Sequence, residues 1–411
     1  MSAHHCTMSD PRDTFDPLIR KAFQSEGLKS YYLKFRGGNE KGEGYIGDIV
    51  FVDVFATKLD GAETVYSLVL KTGGKNKSMR QIVRLGFERE IYIYSKVIPA
   101  FWQLQEEYGM VKFASIPRCY LTILTDSQET LLLQDIKSVG FQLYDRKTVM
   151  NLDHIKLVLK VLGQWHALSF GLQTKHRLEF SRLTSKWKCP AEEIFVKSHV
   201  GKWMNLAQKH LLSVLEESGE SELLLKYKQK TDNHMATSIV KDILYMEKEH
   251  VVITHGDCWN NNLMFKYENT SEASPTDLCI LDFQISTLSS PVIDLSYFIY
   301  AVSSTDQLEH FDSLLQIYHQ SLSHYLRQMD CDPQNIFSFT DLLDHWSKYS
   351  AYGAMINPLI VCDNLVDKDN AASYANINEV YESIIESVDK KHSELFSSRL
   401  IAVARHFTKD V

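Results

Sequence analysis

Two short segments of the chain carry polar residues whose types and spacing could do chemistry. In VVITHGDCWNNNLMF, residues 251–265, Asn262 comes five positions after Asp257. In LCILDFQ, residues 278–284, Asp282 follows a second apolar run. Apolar, β-branched runs of this kind are typical of short buried strands. We therefore expect two strand ends that present one Asp, one Asn and a second Asp close together.

This set of side chains is suited to phosphoryl transfer to an alcohol. The reaction needs a carboxylate beside the attacking hydroxyl and oxygen ligands for Mg²⁺. The spacing matches the kinase catalytic loop H-x-D-x-x-x-x-N, which is followed by a metal-binding D-F-x. We predict that Asp257 is the catalytic base and that Asn262 and Asp282 bind Mg²⁺. The alternative is a polar turn between buried strands, because Asp and Asn are common in turns.

Neighbouring polar residues are expected to support this site. The two asparagines before Asn262 lack its spacing from the catalytic Asp. His255 is expected to brace the loop rather than to titrate. Asp294, in SPVIDLSYF, either caps a helix or hydrogen-bonds back to the catalytic loop. His166 lies in an apolar helical segment and is expected to be a satisfied core histidine.

A nucleotide would need a second set of residues upstream. Lys71 ends the apolar run LVLK, where kinases place the lysine that holds the α and β phosphates. Glu90, in FEREIYIY, could pair with this lysine, whereas Glu88 shares the helix but points elsewhere. A solvated lysine at a strand end is the alternative. The carboxylate in the following helix favours the phosphate-binding role.

Two further segments complete the predicted nucleotide site. The loop GGNEKGEG includes Gly42 and Gly44, and glycines let backbone N–H groups approach a phosphate closely. A flexible hairpin tip would have the same composition. The segment LLLQDI, residues 131–136, ends a strand where a kinase chain crosses between its lobes. We expect backbone groups at Gln134 and Ile136 to hydrogen-bond adenine.

The surrounding pattern predicts an α+β fold with two lobes. Aromatic and β-branched residues indicate strands in YYLKF, GYIGDIVFVDVFAT, ETVYSLVLK, RCYLTILT and ETLLLQDI. A first helix is predicted over 14–26, and a long helix, interrupted near Pro99, over 78–108. We expect residues 1–135 to form a small antiparallel sheet lobe with one main helix. Residues 136–411 are expected to form a larger helical lobe that holds the catalytic loop, the metal and the acceptor.

Composition narrows the class of protein. The chain has 411 residues, of which 44% are hydrophobic and 23% charged, as in soluble globular proteins of one large or two joined domains. A net charge of −8 gives no broad basic field for nucleic acid or an anionic membrane. No apolar run approaches the roughly 18 residues that cross a bilayer, and no secretory leader is recognised. Seven cysteines without paired spacing favour reduced thiols and a cytoplasmic location. No protein partner is implied.

Together these motifs resemble those of the ecdysteroid kinase-like family of arthropods. That family belongs with the choline and aminoglycoside kinases in the protein-kinase-like fold. The resemblance extends over about residues 30–302. It rests on GEGYIGDIVFV, LVLKT, FEREIYIYSKVIP, LLLQDI, LGQWHALSF, VVITHGDCWNNNLMFKY and LDFQISTLSSPVIDLSYFIY. It implies an ATP- and Mg²⁺-dependent kinase that phosphorylates a hydroxyl of a small molecule, ecdysteroid alcohols being the substrates for which the family is named.

The resemblance implies the same roles residue by residue. Lys71 and Glu90 would anchor the phosphates, Asp257 would be the base, and Asn262 and Asp282 would hold the metal.

Two residues depart from the family pattern. Gly47 stands where family members often have a serine, which puts a side-chain contact to phosphate there in doubt. Gln134 stands where a glutamate is usual at the crossover between the lobes.

The acceptor is left open by the sequence. An ecdysteroid or similar apolar alcohol would need an apolar pocket, which YSAYGAMINPLIV, residues 349–361, could line unless it belongs to the core. A xenobiotic alcohol, or a choline- or aminoglycoside-like cation, is the second possibility. A protein kinase is disfavoured, since no A-P-E segment follows DFQ. The non-enzymatic alternative is a nucleotide-binding pseudokinase. Such proteins usually lose one of the lysine, the two aspartates or the asparagine, and this chain keeps them all as Lys71, Asp257, Asp282 and Asn262.

Overall fold

The computed structural model describes most of the chain. The described residues are 11–38, 48–73, 80–126, 128–246, 249–268, 274–367 and 377–409. Gly42 and Gly44, the two predicted phosphate-loop residues, lie outside these ranges, and so does Gly47.

An antiparallel sheet forms the N-terminal lobe. Its described strands are β1 (Leu28–Gly38), β2 (Asp48–Lys58), β3 (Glu63–Thr72), β4 (Cys119–Thr125) and β5 (Gln128–Gln134). Their order across the sheet is β1-β2-β3-β5-β4. β3, which carries Lys71, pairs with β2 on one side and with β5 on the other. Because both of its edges are hydrogen-bonded, the backbone of Lys71 is held rigidly.

The first helix covers one face of this sheet. Val52 and Val54 of β2 are fully buried at alternate positions, the period expected of a strand with one covered face. α1 (Pro11–Ala22) packs there with Ile19. The helix begins before the predicted residue 14 and also ends before the predicted residue 26. It ends earlier because the chain already turns over residues 23–27.

The other face of the sheet packs against a long helical segment. α2 (Arg80–Tyr92) carries Glu90 and continues through a π-helical turn (Ile93–Val97) into α3 (Ile98–Glu107). The interruption expected near Pro99 is thus a π-helical turn rather than a break. Proline has no N–H to donate, so a loosened turn just before it accommodates the ring within a continuous helix.

The chain then crosses to the second lobe. β5 ends at Gln134, and a 3₁₀ turn follows at Ile136–Val139. The Asp135 side chain caps this turn by accepting the Lys137 N–H. We place the boundary between the lobes after Asp135, as a proposal.

Helices make up most of the C-terminal lobe. They are α4 (Leu152–Lys175), α5 (Arg177–Thr184), α6 (Pro190–Glu192), α7 (His199–Glu217), α8 (Ser221–Lys230), α9 (Ala236–Tyr245), α10 (Val292–Val302), α11 (Thr305–Leu308), α12 (Phe311–Gln328), α13 (Pro333–Ile336), α14 (Phe339–Tyr349), α15 (Ala351–Leu365) and α16 (Ile377–Thr408). Within the described residues, none of the helices is long and apolar enough to cross a membrane.

Short strands in this lobe carry the catalytic motifs. They are β6 (Phe141–Leu143), β7 (Val252–Ile253), β8 (Leu263–Lys266), β9 (Asp277–Ile280) and β10 (Leu288–Ser289). β6, β8 and β9 form one sheet, and β7 pairs with β10. Asp257 follows β7 and Asp282 follows β9, so each carboxylate comes just after a buried strand, as predicted.

α10 forms the centre of the helical lobe. All of its residues from Val292 to Val302 are buried, so the helix contacts protein on every side. α15 approaches it closely, because a Cβ on Gly353 would overlap the backbone of Ser296. This packing fixes α10 beside the catalytic loop.

Candidate active site

One cleft between the lobes collects the residues predicted from sequence. It encloses a cavity of about 740 Å³. The lining includes all seven predicted site residues that are described: Lys71, Glu90, Gln134, Ile136, Asp257, Asn262 and Asp282. Residues from the sheet, from α2, from the crossover and from the catalytic loop therefore share one space.

Lys71 lies at the centre of a buried ion cluster. Its Nζ is 2.6 Å from Glu90 Oε2 and 3.1 Å from Asp282 Oδ1. Glu88, in contrast, pairs with Arg84 at 2.6 Å. The structure thus brings Lys71 together with the glutamate that the helical periodicity favoured.

The cluster carries more negative than positive charge. Burial on its own would lower the pKa of Lys71, but the Asp282 and Glu90 carboxylates outweigh it and raise that pKa, so the ammonium stays charged. Burial raises the pKa of Glu90 to about 7. The Lys71 ammonium opposes this rise, and the Asp282 carboxylate reinforces it. Two carboxyl groups, those of Glu90 and Asp282, contact one ammonium, and Asp257 adds a third carboxyl group to the same cleft. A divalent cation would neutralise this excess.

Asp257 is held by donors to both of its carboxylate oxygens. Tyr297 Oη donates to Oδ1 at 2.8 Å, and Asn262 Nδ2 donates to Oδ2 at 2.8 Å. The same Nδ2 also donates to the Asp257 backbone carbonyl at 2.9 Å. These bonds fix the carboxylate and the predicted metal-binding asparagine as one unit.

The pKa of Asp257 suits a general base. Its side chain reaches the cleft but is closely surrounded by protein, and this burial, reinforced by Asp282, raises its pKa. Hydrogen bonds from Tyr297 and Asn262 oppose the rise. A carboxylate with a raised pKa accepts a proton more readily than an ordinary aspartate.

His255 braces the catalytic loop. Its Nε2 lies 2.8 Å from the Leu281 carbonyl, so that nitrogen must carry the proton. Nδ1 is then free to accept the Asp257 N–H at 3.2 Å. The imidazole therefore ties the backbone before Asp282 to the backbone of Asp257, in the bracing role expected from sequence.

Asp294 holds the same loop by hydrogen bonds to its backbone. It is fully buried and accepts the N–H groups of His255 and Gly256 at 2.6 Å and 2.7 Å. His166 Nε2 lies 3.0 Å from the same carboxylate, and its Nδ1 lies 2.9 Å from the Tyr318 hydroxyl. Of the two roles left open for Asp294, the structure thus shows the bond back to the loop, and α10 has no side-chain cap. His166 is a satisfied core histidine that orients Asp294.

The backbone at both carboxylates is constrained. Gly256 has a φ of +90°, and a Cβ there would overlap the Ile285 carbonyl. Asp282 itself has a φ of +65°, a left-handed conformation that few residues other than glycine adopt. Strained backbone of this kind persists where the surroundings hold it and is common at functional sites.

The residues predicted to hold a metal offer suitable atoms for Mg²⁺. Asp282 Oδ1 is buried, and among the described residues its partner is the Lys71 ammonium, 3.1 Å away. Asn262 directs its amide nitrogen at Asp257, so its carbonyl oxygen faces away and stays available. The described residues contain no group of three or more His, Cys, Asp or Glu that could hold a metal. Mg²⁺ bound to a nucleotide needs only one or two protein oxygens besides phosphates and water.

Beside the crossover between the lobes, the cavity is lined by apolar side chains from both lobes. Ile49 and Val69 of the sheet lobe and Met264 and Leu281 of the helical lobe line it. Ile136 joins Met264 in a small apolar cluster at the same place. Apolar side chains on two sides suit a planar aromatic base. The predicted crossover residues Gln134 and Ile136 line this same cavity, and their contact with adenine remains a prediction.

The opposite end of the cavity has an apolar wall from other elements. Its members are Ile194, Phe195, Val200, Leu359 and Ile360. The last two belong to the segment 349–361 that was expected to line a pocket or join the core. It does both, because Gly353 packs on α10 while the end of α15 reaches the cavity.

Tyr297 is a site residue that was not singled out from sequence. It lies one helical turn after Asp294 in α10, at a spacing that puts both side chains on the same face of a helix. Since Asp294 was already expected to face the catalytic loop, this i,i+3 relation was the signal that could have identified Tyr297.

Two solved structures are weakly similar to the chain. A glucosamine kinase in complex with glucosamine, ADP and inorganic phosphate has 8% sequence identity and a TM-score of 0.29, with 93% of this chain and 95% of that chain covered. Glucosamine kinase in crystal form B has 9% identity and a TM-score of 0.31, with 94% and 96% covered. No curated protein matches the chain.

The sequence model of the ecdysteroid kinase-like family matches residues 41–331, which include Lys71, Glu90 and the catalytic loop. This match confirms the resemblance predicted from the motifs. Together with the antiparallel sheet lobe and the helical lobe, it also confirms the predicted α+β, two-lobed protein-kinase-like fold. The chain belongs to the ecdysteroid kinase-like family.

Proposed function

We propose that the protein transfers the γ-phosphoryl group of ATP to a hydroxyl of a small molecule in a Mg²⁺-dependent reaction. The observation that carries this proposal is the convergence of Lys71, Glu90, Asp282 and Asp257 on one cleft. Membership of a kinase-like family supports a small-molecule kinase. A pseudokinase usually lacks one of the lysine, the two aspartates and the asparagine, and the chain has all of them as Lys71, Asp257, Asp282 and Asn262.

The proposed roles follow from the contacts. Lys71, held by Glu90, would bind the α and β phosphates of ATP at the inner end of the cleft. Asp282 and Asn262 would hold Mg²⁺, which when bound neutralises charge on the phosphates. Gly42 and Gly44 lie outside the described residues and remain predictions from sequence.

Asp257 would act on the acceptor. The alcohol oxygen attacks the γ-phosphorus, the bond from that phosphorus to the bridging oxygen of ADP breaks, and the hydroxyl proton passes to Asp257. Each carboxylate oxygen already accepts one hydrogen bond, from Tyr297 or from Asn262, and has a second lone pair for this proton. These two donors hold the base in place as the acceptor arrives.

The apolar wall supports an apolar acceptor. Ile194, Phe195, Leu359 and Ile360 offer a surface for hydrocarbon, as an ecdysteroid or similar alcohol would need. Burial of such a surface contributes to binding by the hydrophobic effect. We therefore propose an ecdysteroid or similar apolar alcohol as the acceptor, in preference to a choline- or aminoglycoside-like cation.

An acceptor screen tests this proposal. The purified protein is incubated with γ-labelled ATP, Mg²⁺ and panels of ecdysteroids, xenobiotic alcohols, choline and aminoglycosides, and transfer of the label to each compound is measured. We expect transfer to one or more apolar alcohols, at a rate that is lower by roughly 10²–10⁴-fold in Asp257→Asn. Transfer only to choline or aminoglycosides would refute the apolar acceptor but keep the kinase, whereas no transfer to any compound would refute the kinase.

We also propose that the enzyme works in the cytoplasm. Within the described residues, six cysteines are present and all of them are free thiols. Free thiols persist in a reducing compartment.

A further inference from the structure

Asp363 brings a carboxyl group to the acceptor end of the cleft. It belongs to the last turn of α15, directly after the wall residues Leu359 and Ile360, and it lines the same cavity. Its side chain is half-buried, and among the described residues the carboxyl group takes part in no hydrogen bond or ion pair. The transfer step proposed above does not use it.

The nearest cation is engaged elsewhere. Arg146 donates Nη2 to the Val366 carbonyl at 2.7 Å and Nη1 to the backbone carbonyl of Asp363. Both carbonyls lie at the C-terminal end of α15, where a cationic side chain commonly satisfies the last acceptors of a helix. The guanidinium is therefore held by the backbone, and the Asp363 carboxyl is left facing the cavity.

The surroundings favour a neutral donor as the partner of Asp363. Burial, reinforced by repulsion from Asp257, raises the pKa of Asp363 to about 7 despite the attraction of Arg146. Arg146 already provides positive charge beside Asp363, so a neutral hydroxyl is a sufficient partner for the carboxyl group. A polar group beside an apolar wall is costly unless it is hydrogen-bonded, so a ligand that fills the cavity must supply a partner.

We infer that Asp363 is a specificity-determining residue that accepts a hydrogen bond from a second hydroxyl of the acceptor. This inference rests on the proposed function. One hydroxyl of the acceptor lies at Asp257 for transfer, the apolar skeleton lies against Leu359 and Ile360, and a hydroxyl at another position meets Asp363. The acceptor class is therefore an apolar skeleton with at least two separate hydroxyls.

The test compares matched acceptors and matched variants. The probes are ecdysone, analogues that each lack one of its hydroxyls, and analogues in which that hydroxyl is replaced by an amine. Wild-type protein, Asp363→Ala and Asp363→Asn are compared with Asp344→Asn, which removes a negative charge from an exposed position of α14. Both kcat/KM and equilibrium binding are measured. Binding is followed through the change in tryptophan fluorescence, to which Trp259 in the cavity lining contributes.

We expect that removal of one hydroxyl, other than the phosphorylated one, lowers kcat/KM of the wild type by roughly tenfold or more. This is the loss expected when one hydrogen bond to a charged group is removed. Asp363→Ala should lose this preference, Asp363→Asn should keep part of it, and Asp344→Asn should keep all of it. A merely structural role of Asp363 would lower kcat/KM for every analogue by the same factor.

The other outcomes separate this inference from the proposed function. Turnover with an unchanged preference in Asp363→Ala overturns the inference alone, as does a preference for the amine analogues. Binding without phosphorylation, with the preference lost in Asp363→Ala, overturns the kinase and keeps the role of Asp363. If none of these probes binds or is phosphorylated, the inference is overturned, whereas the acceptor screen still decides the kinase.

Discussion

The Tyr297 hydroxyl donates a 2.8 Å hydrogen bond to Oδ1 of Asp257. Burial raises the pKa of Tyr297 well above its usual value, so this hydroxyl remains protonated and remains a donor. The relation makes Tyr297 a positioning residue for the proposed base, and it also tunes the acidity of that base.

Replacement of Tyr297 by phenylalanine should shift the pH profile of the enzyme. The hydrogen bond from Tyr297 lowers the pKa of Asp257, so its loss should raise that pKa. A base works in its ionised form, and the acid limb of the kcat/KM profile should therefore move to higher pH. Tyr300→Phe, on the same helix, removes a buried hydroxyl bonded to His406 and should leave the acid limb unchanged. A Tyr297→Phe profile that matches the wild type would refute the tuning role.

Replacement of Asp257 by asparagine should abolish most of the turnover. The amide cannot accept the proton of the acceptor, and loss of a general base typically lowers the rate by roughly 10²–10⁴-fold. Binding of an ATP analogue should be retained, because Lys71, Glu90 and Asp282 are unchanged. Turnover within a few-fold of the wild type, measured by release of ADP with the best acceptor of the screen, would show that another group is the base.

Replacement of Asp282 by alanine should remove the dependence of nucleotide binding on Mg²⁺. In the wild type we expect Mg²⁺ to lower the Kd of an ATP analogue by roughly tenfold or more. This is the gain in affinity expected from one charge-assisted contact. Calorimetric titrations with and without Mg²⁺ measure this difference. Asp277→Asn, at the exposed start of β9, is the matched control and should retain it. An Asp282→Ala protein with the full Mg²⁺ effect would remove this residue from the metal site.

Buried histidines should make the fold sensitive to acid. Burial lowers the pKa of His154 and of His406 to about 4, whereas an unfolded histidine titrates near 6.5. Between these values only the unfolded chain binds the proton, so this stability is present above pH 6.5 and is lost as the pH falls towards 4. His154→Gln and His406→Gln should each reduce the loss of unfolding free energy by about 1.4 kcal/mol per pH unit relative to the wild type.

Urea unfolding at several pH values between 4.5 and 6 measures this slope. Subtraction of the wild-type slope removes the contribution of all other titrating groups. The two variants should agree in slope even if they differ in stability, because their rings have different partners, Tyr267 for His154 and Tyr300 for His406. A slope equal to that of the wild type in both variants would contradict the prediction.

The sequence predicted the residues at the phosphate and catalytic end of the cleft better than those of the acceptor wall at its outer end. Lys71, Glu90, Asp257 and Asp282 each stand in a short motif in which strand or helix periodicity fixes the direction of the side chain. The central position of β3 and the close packing of α2 then bring these motifs together. The family match and the sheet-and-helix architecture confirm the fold, whereas the roles of the site residues remain predictions.

The outer end depends on contacts that no local pattern contains. Phe195 lies in a π-helical turn (Glu193–Lys197) of a mixed segment, and Asp363 lies in the last turn of a helix that is otherwise almost entirely buried. Whether such residues face the core or a cavity is decided by the packing of α7, α10 and α15 against one another. That packing is long-range in sequence, and so the acceptor wall could be identified only in the structure.

The division of the cleft has a consequence for how such an enzyme can diversify. The proposed transfer residues stand on β3, α2 and the loops around β7 and β9, whereas Phe195, Leu359 and Asp363 stand on separate helical segments. Gene duplicates could therefore exchange the wall residues and acquire new substrates while the phosphate machinery stays intact. A fold arranged in this way allows one catalytic centre to serve acceptors of different shapes.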